Sequence, residues 1–104
     1  MTATITPIRR AALDGLTYAA YLVDYFGWAP ADPDMPHLDL FSIMRVAAGK
    51  TALANGQTVY DTAALMGALF ARHIETNVLA AWEAEPGRSA ADVAAALRAA
   101  AQAS

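Results

Sequence analysis

The stretch from Val59 to Ile74, VYDTAALMGALFARHI, carries an acidic or basic charge only near its two ends, at Asp61 and Arg72. On a helix its large side chains, Val59, Leu65, Met66, Leu69, Phe70 and Ile74, cover more than half the circumference, whereas a surface helix shows a narrower apolar stripe. A segment of this kind has to be covered on more than one side. It is therefore expected at the centre of the fold, with the remaining elements packed around it.

Composition narrows what those elements are. At 104 residues the chain can build one hydrophobic core but not two. The hydrophobic fraction is 57%, yet 27 of the residues behind it are alanine, which adds helix propensity more than buried area. Few β-branched residues accompany it. The expected fold is all-α, a single-domain bundle of four to five helices around a central apolar helix.

Local signals place the other helices. Thr6 followed by Pro7 starts one, because threonine accepts from free backbone N–H groups and proline fits the first helical turn. It should run to Phe26 and stop at Gly27, with Ile8, Ala12, Leu16, Ala19, Val23 and Phe26 on its inner face. Asp39 caps a second helix whose inner face is Leu40, Ile43, Met44 and Ala47, with Gly49 as its expected stop. Around Leu53 a further short turn is open before Asn55-Gly56 breaks the chain. Thr58 with Asp61 opens the Val59 helix. Whether that helix continues past Ile74 stays open, since Asn77 can cap a separate short helix. Ser89 with Asp92 opens the last helix, Ala90 to Ala101, whose only large apolar residues, Val93 and Leu97, make it a thin cover. Residues 1–5 are expected to be flexible and 102–104 frayed.

Two surfaces stand out. Tyr18, Tyr21 and Tyr25 line one flank of the first helix at i, i+3 and i+7, and tyrosine joins a rigid apolar ring to a polar tip. They lie either at the core margin with wet hydroxyls or on a contact surface for a partner or a second copy. The loop 27–37, GWAPADPDMPH, holds three of the chain's five prolines, so it continues neither helix. Trp28 is expected to anchor its base, and Trp28, Asp32 and Asp34 join the tyrosines as the candidate interaction surface.

The segment Ala81-Trp82-Glu83-Ala84-Glu85-Pro86-Gly87-Arg88-Ser89-Ala90-Ala91-Asp92-Val93 resembles a Trp-Asn-Asp-x-Pro-Gly-Arg-Thr-x-x-Glu-Val segment. That segment is shared by a family of small proteins, mainly from actinobacteria and their phages, that has no established activity. Gly27-Trp28 and the Leu40 to Gly49 helix match further parts of it. Glu83 stands where the family has asparagine, Glu85 precedes Pro86, and no cysteine opens the second helix. The resemblance implies a small helical domain, phage- or defence-associated, and no particular chemistry. Read physically, the segment is a corner in which Trp82 fills the angle, with Arg88 bonding helix carbonyls or pairing with Glu83 or Glu85.

Several functions are excluded or disfavoured. Without cysteine there is no disulfide, no thiolate nucleophile and no cysteine-ligated metal. A net charge of −3 and only one adjacent cation pair, Arg9-Arg10, argue against direct nucleic-acid binding. Asp14 interrupts the apolar stretch after those arginines, so no secretory signal forms, and no uncharged stretch reaches the roughly 18 residues that span a bilayer. A soluble cytoplasmic protein is expected. His37 and His73 match no metal spacing, and Asp32, Asp34 and His37 supply too few oxygens for a calcium loop. No catalytic residue, metal ligand or cofactor is expected. The favoured reading is a non-enzymatic interaction or regulatory protein with a protein partner or a second copy. Two alternatives stand beside it: a small-molecule or metal-binding domain with a pocket at Phe70, His73 and Trp82 near Trp28, and an acidic inhibitor of a nucleic-acid-binding protein.

Overall fold

In the computed structural model, which describes residues 5–30, 34, 38–76 and 79–103, every regular element is a helix. These are α1 (Pro7–Phe26), α2 (Leu40–Ala54), α3 (Val59–His73), α4 (Leu79–Glu83) and α5 (Ala90–Ala103). The radius of gyration, 13.1 Å, is that of one bundle of about 100 residues.

Side chains set the helix starts. The Arg9 N–H donates to Thr6 Oγ1 (3.3 Å), the Asp61 N–H to Thr58 Oγ1 (3.1 Å) and the Ser42 N–H to Asp39 Oδ2 (3.2 Å). Each bond satisfies an N–H that the helix itself leaves without a partner. At α5 the cap is reciprocal: the Asp92 N–H donates to Ser89 Oγ (3.1 Å) and the Ser89 N–H to Asp92 Oδ2 (2.9 Å).

One helix end differs from the sequence expectation, and another decides a point the sequence leaves open. α2 does not stop at Gly49 but runs to Ala54, because Thr51 and Ala52 are buried one turn later and the Thr51 hydroxyl donates to the Ala11 carbonyl (2.8 Å). Those tertiary contacts outweigh the cost, about 1 kcal/mol, of a glycine inside a helix. α3 ends at His73 and is not continuous with the Trp82 segment, because Glu75 adopts the left-handed conformation, φ 56°. Asn77, the expected cap of the short helix, lies outside the described residues.

The helix at the centre is α1, not α3. α1 packs against α2, α3 and α5, and α5 lies along it as extensively as α2 does. Eight residues of α1 are buried against four of α3. Alanine explains the difference: Ala11, Ala12, Ala19 and Ala20 on α1, Ala47, Ala48 and Ala52 on α2, and Ala94 and Ala100 on α5 are all buried. Short side chains let helix axes approach closely, so α5 is a full partner of the core and not the thin cover expected from Val93 and Leu97 alone. At Gly15 the approach is closer still: a β-carbon there would lie 2.5 Å from Met66 Sδ and 3.1 Å from Thr51 Oγ1.

Phe70, Leu16, Leu40, Met66 and Leu97 are the largest fully buried side chains, and each contributes on the order of 1.5–3 kcal/mol through burial. α3 gives only one side to this core. Thr62, Met66, Leu69 and Phe70 point in, whereas Val59 is 41% and Tyr60 82% exposed. Phe26, expected on the inner face of α1, is 63% exposed at the last position of the helix.

Candidate functional site: an apolar face across three helices

α2 is apolar on two sides. Leu40, Ile43, Met44, Ala47 and Ala48 face the core, while Phe41, Val46 and Leu53 are exposed on the other side with Arg45 and Lys50. Two grooves flank this outer side. The larger, about 670 Å³, lies between α2, α3 and α4 and is lined by Phe41, Met44, Arg45, Val59, Tyr60, Ala63, Ala64, Gly67 and Leu79. The smaller, about 230 Å³, is lined by Leu22 and Phe26 of α1, Leu38, and Ile43 and Val46 of α2.

The smaller groove continues into the tyrosine flank of α1. Tyr25 meets Phe26 edge-on (4.9 Å between centroids, 67°), Tyr21 stacks on Tyr25 (6.0 Å, 20°) and Tyr18 tilts against Tyr21 (6.1 Å, 40°). Tyr18 packs on the core, whereas Tyr21 and Tyr25 are exposed. Tyr18 therefore lies at the core margin, and Tyr21 and Tyr25 stand exposed on the outer surface. The exposed apolar residues of this ladder, of the outer side of α2 and of the larger groove form a band interrupted by Arg45 and Lys50.

Electrostatics along the band is sparse. Among the described residues, Arg45 is the one charged residue lining the larger groove, and it pairs with no carboxylate. Arg98 of α5 pairs with Asp24 on α1, between two exposed side chains, a contact worth little in water.

The loop base is built differently from a contact surface. Trp28 is half-buried, and its Nε1–H donates to Glu83 Oε2 (2.8 Å); the Leu40 N–H, at the start of α2, donates to the same oxygen (2.5 Å). Glu83 is itself buried, 8% exposed, so a carboxylate at the end of α4 holds both the Trp28 loop and the positive N-terminal end of α2. The Ala29 N–H donates to the Leu38 carbonyl (3.0 Å), closing the loop across its base. Asp34 is exposed; Asp32 and His37 lie outside the described residues.

The three residues proposed to line a pocket do not share one space. Phe70 is fully buried and Trp82 packs edge-on against it (5.3 Å, 87°), so the two rings fill one another's volume. His73 is exposed in the last turn of α3. Arg88 lies over the Trp82 ring at 3.7 Å, its Nε–H donates to the Trp82 carbonyl (2.7 Å), and its Nη2 pairs with Glu85 (2.6 Å) and not with Glu83. The corner is thus closed on itself by stacking, a carbonyl bond and an ion pair. Among the described residues no group of three His, Cys, Asp or Glu side chains is arranged to hold a metal ion.

Sequence reasoning missed Phe41, Arg45, Val46, Val59 and Tyr60 as surface residues. The available signal was the width of the apolar arc on α3 and the second apolar side of α2. Both show that more surface needs covering than one inward face accounts for.

No described helix is long and apolar enough to cross a membrane. Searches of the curated proteins and of the solved structures find no significant match. From the first turn of α1 to the end of α5, grooves, clasp and corner included, residues 8–103 match the model of a family of unknown function, DUF6197, and the chain belongs to that family.

Proposed function

We propose that this chain is a small non-enzymatic cytoplasmic protein that acts by binding another protein through the apolar band across α1, α2 and α3. The observation that carries this reading is that Phe26, Phe41, Val46 and Tyr60, each more than half exposed, line two grooves that flank α2. Isolated surface hydrophobics are ordinary, but contiguous ones mark interaction sites. The flank Tyr21–Tyr25 extends the band with residues that give large contact area at low entropic cost. The acidic charge disfavours a direct nucleic-acid role.

The test uses two double variants, Tyr21→Ser/Tyr25→Ser and Phe41→Ser/Tyr60→Ser, and their combination. All keep the helical circular dichroism of the wild type, because the replaced side chains lie outside the core. Pull-down of the partner is lost in the combined variant. Unchanged association there sinks the reading.

A second reading is favoured by one quantity, the volume of the larger groove, which falls within the roughly 300–1,000 Å³ of small-molecule sites. An apolar metabolite at 100 times its dissociation constant raises stability by about 2.7 kcal/mol, a shift that a thermal-melt screen detects. No shift across a broad apolar library removes this reading.

A further inference from the structure

The larger groove has features that narrow the partner, and the argument rests on the band being a contact surface. Phe41 of α2 and Leu79 of α4 line it together with the short residues Ala63 and Gly67 of α3. A β-carbon at Gly67 would meet no atom within 4 Å, so that part of the groove is open to a neighbour's side chains. Tyr60 stands at the lip, 82% exposed. An open-sided trough between two consecutive helices takes a row of side chains at helical spacing, the geometry by which an amphipathic helix docks.

Charge sets the sign of that helix. Among the described residues Arg45 is the groove's single charged residue and has no carboxylate partner. Covering an unpaired guanidinium with apolar surface opposes binding, whereas a carboxylate set against it forms a charge-assisted hydrogen bond. A second copy docked groove to groove does not supply one, because a two-fold contact brings the same patch to itself and none of the described residues lining this groove is acidic. The net charge of −3 also repels an identical chain.

We infer that the groove between α2 and α3 receives an amphipathic helix of another protein, with apolar residues at i, i+4 and i+7 in the trough and an Asp or Glu side chain against Arg45.

The experiment is a display selection of helical peptides of about 16 residues, four to five turns, on the immobilised full chain. The enriched peptides carry a carboxylate beside an apolar stripe. They bind Arg45→Glu about tenfold more weakly, and changing their carboxylate to lysine restores affinity on that variant, as expected for a charge at the rim of an interface. The inference is overturned by a lack of enrichment, by peptides without acidic residues, or by equal affinity for Arg45→Glu. A concentration-dependent dimer dissolved by Phe41→Ser/Tyr60→Ser assigns the groove to a second copy and overturns it as well. Peptides that bind the combined tyrosine and Phe41/Tyr60 variant as tightly as the wild type overturn the contact-surface reading itself.

Discussion

The Trp28 indole and the Leu40 backbone, from separate parts of the chain, donate to one oxygen of Glu83. Replacing Glu83 with alanine strands two donors in poorly hydrated surroundings, at about 1–3 kcal/mol each, so Glu83→Ala is expected to cost roughly 2–6 kcal/mol in urea unfolding. Glu83→Gln keeps an oxygen acceptor and loses the charge at the α2 N-terminus, and its cost is about 1 kcal/mol. A loss below about 1 kcal/mol for the alanine variant contradicts the clasp. Gly15 makes a second prediction. Alanine is about 1 kcal/mol better in a helix, yet its β-carbon would press on buried Met66 and Thr51, so Gly15→Ala is expected to destabilise by about 1–3 kcal/mol net. In a double-mutant cycle with Met66→Ala the Gly15 penalty shrinks; an equal penalty in both backgrounds shows that Met66 is not what the new methyl meets. Neither residue was legible as an individual. Glu83 reads as a surface acid beside Glu85, and its partners come from the fold.

At the scale of elements, what is local was legible. Thr6, Thr58 and Ser89 each cap the helix they were expected to cap, because a side chain and an N–H three residues on meet without help from the rest of the chain. Gly49 misled for the opposite reason: it is a poor helix residue kept in α2 by what packs one turn later. The α5 cap has a pH signature. The Ser89 backbone N–H, then the Ser89 hydroxyl, hold the Asp92 carboxyl below its ordinary range, with Arg88 adding a smaller pull in the same direction. A carboxyl whose value is lowered by folding stabilises the fold fully above the ordinary carboxylate range, and that contribution disappears as pH falls through the lowered value. Thermal melts should therefore show wild type above Asp92→Asn at about pH 7, with the gap narrowing as pH falls below the ordinary carboxylate range. A gap that does not change with pH rules out the ionised cap as its source.

For the whole molecule, the sequence showed how much apolar surface α3 carries but not what covers it. Met66, Leu69 and Phe70 enter the core, with Leu65 and Ile74 packed at its margin, while Val59 and Tyr60 line the larger groove. Alanine hid the true centre, because close approach of α1, α2 and α5 depends on small residues that add little to a hydrophobic pattern. A bundle whose core is complete without the outer side of α2 can keep that side for another molecule. The most direct test is native mass spectrometry of the chain purified from its own host, beside the Phe41→Ser/Tyr60→Ser variant. The expected result is a heteromeric species heavier than the 10.9 kDa chain for the wild type and the bare chain for the variant. Bare chain in both, or added mass that the substitutions leave in place, contradicts the account.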